Sequence, residues 1–348
     1  MTLEKKAEMM TSKEVDVESL VSKIEPRKSP RMLGSKVVVL TLLLFQNTGY
    51  TLLRRYSMAT LREAYDPQMV LLMGEVFKLV FSAFAIRGER RKASEAVGSH
   101  LSSLALRSGK MLALALIYGA MNILSYVAIK RIDAGVFTVC AQLKILTTAA
   151  FSTTFLRRSI SSVKWRALLQ LVLGCILVTV PQLSNRSELQ SKDHLLGLAA
   201  VLVEVTLSGF ASVYFEKVVK ASDDNMTVWD RNFQLALHSI AIYILYHALL
   251  PADNNLGVGH NNNPFHDFSN VAWALALLSG GGGLLVALTV KIADSVVKTL
   301  AISAAIVTST LASHFLLEGP LTLIIATGAA IVALAVLNYA FDPTPPSS

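Results

Sequence analysis

The sequence has little cysteine and little charge for its length. Its 348 residues include only two cysteines, Cys140 and Cys175, and 16% of them are charged, whereas soluble domains average about 25%. Both cysteines fall within apolar stretches, which favours small buried side chains over a disulfide or a metal pair. We therefore expect no metal and no cofactor, and the shortage of charge argues against an ordinary soluble protein.

Two further patterns are missing from the chain. No stretch alternates polar and apolar residues as a half-buried β-strand does, and the amino terminus lacks the features of a cleavable signal peptide. Residues 1–35 are instead rich in charge, which predicts a disordered cytosolic tail. The first apolar stretch would then act as its own uncleaved insertion signal.

Long apolar runs make up most of the remaining sequence. Hydrophobic residues account for 53% of the chain, and the mean hydropathy is +0.51. The charges lie in short clusters between these runs, which is typical of a polytopic membrane protein, and each span must be helical because lipid cannot satisfy backbone hydrogen bonds. We predict an all-α polytopic membrane protein with ten transmembrane helices at 36–53, 67–86, 110–129, 134–156, 163–181, 195–215, 228–250, 270–290, 295–317 and 320–341.

The basic residues between the spans predict the orientation. Basic clusters lie in the amino-terminal tail, within 87–110 and within 157–166, whereas 251–269 has no Lys or Arg. The positive-inside rule places the first three segments and both termini in the cytosol. It also explains the formal charge of +8 without a nucleic-acid partner. The exceptions, which are either interface anchors or an attraction for an anionic ligand, are Arg54, Arg55 and Arg62.

Two segments of the chain repeat a pattern. In both 129–160 and 290–321, a Lys precedes an Asp by three residues, and then an apolar span rich in Ser and Thr, a short break and another apolar span follow. With five spans in each half, the second half enters the membrane inverted, as in many secondary transporters. We predict two inverted five-helix repeats, with the boundaries 36–181 and 195–341, a luminal linker at 182–194 and a carboxyl-terminal tail at 342–348.

Lys144 lies near the middle of the span predicted at 134–156. An ammonium at that depth costs on the order of 3 kcal/mol, so it usually faces a cavity or a partner. No acidic residue lies within helical reach of Lys144 on its own span. Two hypotheses follow: Lys144 forms a salt bridge with another span, for example with Glu204, or it binds the phosphate of a substrate.

Further ionisable residues lie within or beside the spans. Glu75 and Lys78 are three residues apart, so they can pair on one helical face, and they form either a neutral packing pair or a second shell in which Lys78 also reaches a ligand. Asp294 lies between Lys291 and Lys298, so one of these lysines can stay unpaired. Lys298 lies deeper and is the better candidate for binding a ligand.

Small, aromatic and amide residues complete the candidate set. The four glycines at 280–283 lack the preceding strand and following Lys–Ser/Thr of a phosphate loop, so they favour close helix contact. Side chains that could hold a base and a ribose, although each alone is more often a packing residue, are Tyr118, Asn122, Phe137, Gln142, Tyr214 and Asn232.

Several motifs resemble one known family. They are DAGVF at 133–137, AQLKILTTA at 141–149, SGFASVYFEK at 208–217, WDRNFQ at 229–234, GGLLV at 282–286 and VKIADSVVK at 290–298. In type and order they resemble the nucleotide-sugar transporters of the drug/metabolite transporter superfamily. The chain is most similar to the branch that contains the CMP-sialic acid, UDP-galactose and UDP-N-acetylglucosamine transporters.

The resemblance implies a fold, an activity and a site. Family members have ten helices in two inverted halves, lie in Golgi membranes and exchange a cytosolic nucleotide sugar for a luminal nucleoside monophosphate. The implied partners are these two ligands and the lipid bilayer, and homodimer formation is left open. The implied ligand contacts are a phosphate at Lys144 and a base and ribose pocket formed by Asn122, Ser208, Asn232 and Lys298.

Two departures from the family pattern leave the base open. Phe137 stands where relatives often carry Tyr, and Leu235 and Ala236 stand where some CMP-sialic acid carriers place an aromatic residue. We expect CMP-sialic acid, or a related CMP-sugar, exchanged for CMP. The alternative is UDP-galactose or UDP-N-acetylglucosamine exchanged for UMP.

Other functional classes are less well supported. A membrane-embedded enzyme would need an oriented reactive group. Among the span histidines, no acid lies three or four residues from His238 or His247, and the acid at that distance from His314 is Glu318, which follows the predicted span. A scaffold role is a further alternative. We therefore expect a carrier and no enzymatic activity.

Overall fold

A computed structural model describes residues 30–63, 65–92, 97–129, 131–132, 134–179, 192–221, 226–249, 265, 268–319 and 321–342. The chain divides into two compact units at the boundary between Val38 and Val39. The described part of the first unit is the beginning of the first helix, and all later elements belong to the second. Most of the predicted amino-terminal tail, luminal linker and carboxyl-terminal tail lies outside the described residues.

Helices account for almost all of the described residues. The first, α1, spans Pro30–Arg55 and continues into a π-helical turn at Tyr56–Thr60. The others are α2 (Pro67–Lys92), α3 (Val97–Leu106), α4 (Gly109–Ile129), α5 (Ala134–Ala141), α6 (Lys144–Phe155), α7 (Ser162–Thr179), α8 (Lys192–Lys220), α9 (Val228–Leu249), α10 (Asn270–Ile292), α11 (Ser295–Leu317) and α12 (Leu323–Ala340).

The protein is a multi-pass helical membrane protein, as predicted. In the described part of the chain, 9 stretches are long and apolar enough to cross a membrane, and α5 and α6 together form one of them, Val136–Phe155. The remaining predicted span, at 228–250, corresponds to the 22-residue helix α9, in which Asp230, Arg231 and several other polar residues lower the hydropathy. Large apolar side chains, among them Phe45, Phe84 and Phe315, are exposed on the outer surface, as expected of a face in contact with lipid.

Polar side chains fix the beginnings of several spans. Ser269 accepts hydrogen bonds from the backbone N–H groups of Val271 and Ala272 at the start of α10. Asp294 accepts from Val297 N at 2.8 Å at the start of α11, and Thr322 caps α12. Such caps satisfy amide groups that have no partner within the helix, so the span boundaries follow from local sequence.

The span predicted as one helix at 134–156 is broken between α5 and α6. In a regular helix the backbone N–H of Gln142 would bond to the carbonyl of Thr138. The side-chain amide of Gln142 donates to that carbonyl instead, at 3.2 Å, and the Gln142 N–H bonds to Val139 O at 3.1 Å. The tightened turn ends α5, and Lys144 becomes the first residue of α6.

Helices of the second half of the chain begin a constant number of residues after helices of the first half. Adding 161 to residues 67, 109, 134 and 162, where α2, α4, α5 and α7 begin, gives 228, 270, 295 and 323. These are the first residues of α9, α10, α11 and α12. The same offset relates the two segments whose sequences repeat.

A turn repeats with the same offset. After α6, the backbone N–H of Arg158 bonds to the carbonyl of Ser152, and after α11, the N–H of Gly319 bonds to the carbonyl of Ser313. The intervening residues, Arg157 and Glu318, have positive φ angles of 50° and 52°. Both turns therefore end in a left-handed residue, as helix carboxyl termini commonly do, and both have a hydrogen bond between residues six apart, although their side chains differ.

Helices of one half pack against helices of the other. The pair α7 and α12 makes the most extensive contact, followed by α2 with α10 and with α9, and by α8 with α4 and α6. Glycine permits one of these approaches, because a Cβ atom at Gly280 of α10 would lie 2.5 Å from the carbonyl oxygen of Gly74 in α2. The predicted role of the 280–283 glycines in close helix contact is thus confirmed for Gly280.

We expect Gly280→Ala to destabilise the protein, because the added methyl group would force α2 and α10 apart at a cost of about 1–3 kcal/mol. Gly281→Ala is the matched control, since a Cβ atom there has no neighbour within 4 Å. The measurement is the apparent melting temperature of the purified variants in detergent. A melting temperature lowered equally by both substitutions would contradict this account of the contact.

Candidate functional site

A polar cavity of about 270 Å³ lies between α2, α4, α8, α9 and α10. It brings together four residues that the sequence marked as candidates, Glu75, Lys78, Tyr118 and Asn122. Both halves of the chain contribute to its wall. Inverted-repeat carriers bind their ligands at such an interface between halves.

The predicted pairing of Glu75 with Lys78 is confirmed. Lys78 Nζ donates to Glu75 Oε1 at 2.7 Å, and the lysine is buried. Both residues also line the cavity, so the reading in which Lys78 reaches a ligand stays a prediction beside the confirmed pairing. The pair can exchange its internal hydrogen bond for one to a ligand without leaving an uncompensated charge.

Tyr118 and Asn122 lie one turn apart on α4. The side-chain amide of Asn122 donates a 3.3 Å hydrogen bond to the hydroxyl of Tyr243 on α9. This contact connects the two halves across the cavity. An amide and two phenols on one wall suit hydrogen bonding to the hydroxyl and carbonyl groups of a ligand.

Several polar residues of the cavity were missed as ligand contacts in the sequence. They are Ser125, Glu204, Ser239 and Tyr243. An ionisable residue within an apolar span is by default a functional candidate, and that signal could have identified Glu204. The sequence had offered Glu204 only as a partner for Lys144.

Two further candidates, Lys144 and Lys298, are not part of the cavity wall. Lys144 is within electrostatic range of Glu204 and of Lys298, and Lys298 Nζ donates to the hydroxyl of Ser212 at 2.9 Å. The two ammonium groups come from α6 and α11, and α5 and α6 together correspond in sequence to α11. Neither has an ion pair with a carboxylate within 4.0 Å among the described residues, so both can accept an anionic partner.

The other predicted residues lie outside the cavity wall. Phe137 packs against an apolar cluster around Ala128 and Val201. Tyr214 donates to the carbonyl of Lys110 at 3.2 Å and stacks on Phe210, so its ring and hydroxyl are engaged in packing.

The remaining three residues are Gln142, Ser208 and Asn232. The amide nitrogens of Gln142 and Asn232 donate to helix carbonyls, while their buried oxygens Oε1 and Oδ1 have no partner. A ligand donor could satisfy these two acceptors. Ser208 is partly buried on α8, next to Gly209, whose backbone lies against Thr147.

At one end of the bundle an ionic network surrounds Glu216 of α8, which is fully buried. Its carboxylate accepts hydrogen bonds from Arg158 after α6, from Lys220 Nζ at 2.7 Å, and from the backbone N–H of Ser295 at 2.9 Å. Lys220 also donates to the carbonyl of Ala293. Three segments, which the basic loops assign to the cytosolic end, are thereby held together.

A second polar cavity, of about 340 Å³, lies beside this network. Its wall contains Arg157, Arg158 and Lys164. Acidic groups offset much of this charge, because Asp294 also lines the cavity and Lys164 lies 3.9 Å from Asp342. The cavity is therefore a weaker candidate for an anion than the Lys144 region.

The short helix α3 was not predicted. It is tethered to α9 by His100, whose Nε2 lies 2.8 Å from a carboxylate oxygen of Asp230. His238 and His314 bond to the hydroxyl of Ser108 and to the carbonyl of Gly319, respectively, and the side chain of His247 lies outside the described residues. None of the described contacts orients a histidine toward the 270 Å³ cavity.

Sequence comparison identifies the family. A family model described as nucleotide-sugar transporter matches residues 32–340. The chain belongs to the nucleotide-sugar transporter family. This membership assigns it to a class of carriers rather than enzymes.

Curated relatives span most of this nucleotide-sugar transporter. It is 34% identical to the UDP-N-acetylglucosamine/UDP-N-acetylgalactosamine transporter nstp-4 of Caenorhabditis elegans over 88% of this chain and 94% of the relative. It is likewise 34% identical to the human UDP-N-acetylglucosamine transporter, over 89% and 96% of the two chains. A crystal structure that is 11% identical superposes with a TM-score of 0.64 over 88% of this chain and 97% of that chain, which shows a shared fold.

These relatives correct one expectation. The sequence had favoured CMP-sialic acid, with UDP-sugars as the alternative. The relatives are named as UDP-sugar transporters, and a UDP-galactose transporter of Schizosaccharomyces pombe is 32% identical to this chain. The preference for a CMP-sugar is therefore not supported, and the two departures noted at Phe137 and at Leu235–Ala236 do not identify the base.

We expect Glu216→Gln to lower thermal stability, because removal of the buried carboxylate charge leaves Arg158 and Lys220 uncompensated. Loss of one partner in a buried ionic network typically costs about 3–5 kcal/mol. The control is Lys217→Gln, a substitution of an exposed neighbour on the same helix. Equal melting temperatures for both variants and the unmodified protein in detergent would refute a stabilising role for the network.

Proposed function

We propose that the protein exchanges a cytosolic UDP-sugar, UDP-N-acetylglucosamine or UDP-galactose, for luminal UMP. The observation that carries the proposal is that Lys144 lies within electrostatic range both of Lys298 and of Glu204, which lines a cavity between the two halves. Phosphate groups are the part that both ligands share. The names of the relatives favour uridine as the nucleoside.

The two lysines would receive the phosphates, and the 270 Å³ cavity would hold one further part of the ligand. Tyr118 and Asn122 offer hydrogen bonds on α4, and the Glu75–Lys78 pair faces them from α2. Gln142, Ser208 and Asn232 would complete the contacts to base and ribose, where the unpartnered oxygens of Gln142 and Asn232 suit the N–H groups of a base edge. Phe137 and Tyr214 would support these residues through packing.

We further propose that the two halves are inverted repeats, with ten spans and both termini in the cytosol. The constant offset of 161 between the helix starts and the repeated turns after α6 and α11 support the repeat. Contacts between the helix ends support the alternation of direction. Arg158, Glu216 and Ser295 meet at one end, and the rings of Tyr65 and Phe268 meet at the other, 6.4 Å apart. The family resemblance favours the Golgi membrane.

Exchange follows from the cost of moving the lysines through a closed state. In that state water is largely excluded, and an ammonium without an adjacent anion is expensive. Glu204 offsets one of the two positive charges, which leaves the other to be offset by a bound phosphate. Loaded carriers should therefore reorient faster than empty ones, without a coupling ion.

Proteoliposomes that contain the purified protein test the proposal. We expect initial uptake of labelled UDP-N-acetylglucosamine or UDP-galactose to be several-fold faster into vesicles preloaded with UMP than into empty vesicles, with CMP less effective than UMP. Equal uptake into empty and preloaded vesicles would contradict exchange. A stronger stimulation by CMP than by UMP would contradict the assignment of uridine.

Lys144→Ala should weaken UMP binding about tenfold to hundredfold, since charge-assisted hydrogen bonds contribute about 1.5–3 kcal/mol. Lys144→Arg should retain only partial transport, because a guanidinium lacks the compact shape of an ammonium. The control is Lys291→Ala, at an exposed residue of α10. Calorimetric UMP affinities that are unchanged in Lys144→Ala would remove Lys144 from the site.

A further inference from the structure

Glu204 is a carboxylate within the apolar helix α8, on the wall of the 270 Å³ cavity. Ser125 of α4 lines the same cavity. One carboxylate oxygen of Glu204, Oε2, is buried and has no hydrogen-bond partner among the described residues. An unsatisfied buried acceptor costs about 1–3 kcal/mol, and more when it is charged. A donor from a ligand that bonded to Oε2 would recover this free energy.

The charged groups around Glu204 do not satisfy it. Lys144 attracts the carboxylate electrostatically, yet the two form no ion pair within 4.0 Å. The remaining ionic groups of the cavity, Glu75 and Lys78, bond to each other at 2.7 Å. The position thus provides an attractive counter-charge for Lys144 and leaves one buried oxygen without a donor.

The chemistry of the cavity indicates which part of a ligand would supply the donor. A carboxylate repels phosphate but accepts hydrogen bonds from hydroxyl and amide N–H groups. Ser239 and Tyr243, which line the same cavity, add hydroxyl groups that bond readily to a sugar. The volume of about 270 Å³ lies below the usual range of roughly 300–1,000 Å³ for small-molecule pockets, so the cavity has room for one moiety rather than a whole nucleotide sugar.

We propose that Glu204 is a specificity-determining residue that accepts a hydrogen bond from a hydroxyl or N-acetyl N–H group of the transported sugar. The inference rests on the proposed function, because it takes the phosphates to lie at Lys144 and Lys298 and the sugar to extend into the cavity. It predicts that Glu204 discriminates between the nucleotide sugar and the free nucleotide. A nucleoside monophosphate lacks the transported sugar that would reach Glu204.

Calorimetric titration of the full-length protein with UMP and with UDP-sugars tests the assignment. Glu204→Gln keeps the shape of the side chain, and Glu204→Ala removes it. We expect both to weaken UDP-sugar binding about tenfold to hundredfold and not to weaken UMP binding. Glu89→Gln, at an exposed residue of α2, is the control and should change neither affinity.

Deoxy analogues of the UDP-sugar locate the contact. Removal of the hydroxyl that bonds to Glu204 should weaken binding to the unmodified protein but have little further effect on Glu204→Ala. The same comparison of the unmodified protein with Glu204→Ala, made with a 2-amino-sugar that lacks the acetyl group, tests the N–H donor. Additive losses for every analogue would contradict a direct contact.

Other roles of Glu204 give different results. If the carboxylate served only as a counter-charge for Lys144, Glu204→Gln would strengthen UMP and UDP-sugar binding alike. A purely structural residue would lower the melting temperature and leave both affinities unchanged. Either result would overturn the proposal. Failure of the unmodified protein to bind any UDP-sugar would refute the proposed function itself, before Glu204 is considered.

Discussion

A charge within a membrane-spanning helix requires a partner or a polar cavity, and the arrangement of this protein follows from that constraint. Glu75 and Lys78 neutralise each other, Glu216 is surrounded by donors, and Glu204 partly offsets Lys144. Lys298 is held by a hydroxyl alone. The positive charge that is not offset belongs to Lys144 and Lys298, which lie on helices of different halves. An anionic ligand bound there would lower the free energy of burying these two ammonium groups.

The two halves share a backbone plan but differ in their charges. The constant offset of 161 residues and the matching turns after α6 and α11 indicate one plan used twice. Yet Arg157 and Arg158 correspond to Glu318 and Gly319, so the two turns differ in charge. The network around Glu216 lies at one end, and any opening of that end must separate Arg158 or Ser295 from the carboxylate.

Much of the fold could be predicted, because long apolar runs and basic loops are direct consequences of the membrane as a solvent. The break before Lys144 could not be predicted, because it depends on a hydrogen bond that the Gln142 side chain donates to a backbone carbonyl of its own helix. Among the site residues, the pairing of Glu75 with Lys78 followed from spacing alone. The positions of Phe137 and Tyr214 in packing, and of Ser125 and Tyr243 on the cavity wall, depend on contacts between distant helices that local pattern does not encode.

The central claim is that the phosphate of the ligand binds between Lys144 and Lys298. An experimental structure of the UMP complex in a membrane mimetic tests it most directly. The account predicts phosphate oxygens within hydrogen-bond distance of Lys144 Nζ, with the base toward Asn232 and the cavity beside Glu204 free for a sugar. Phosphate density bound instead by Arg157 and Lys164, with Lys144 still facing Glu204, would contradict the account.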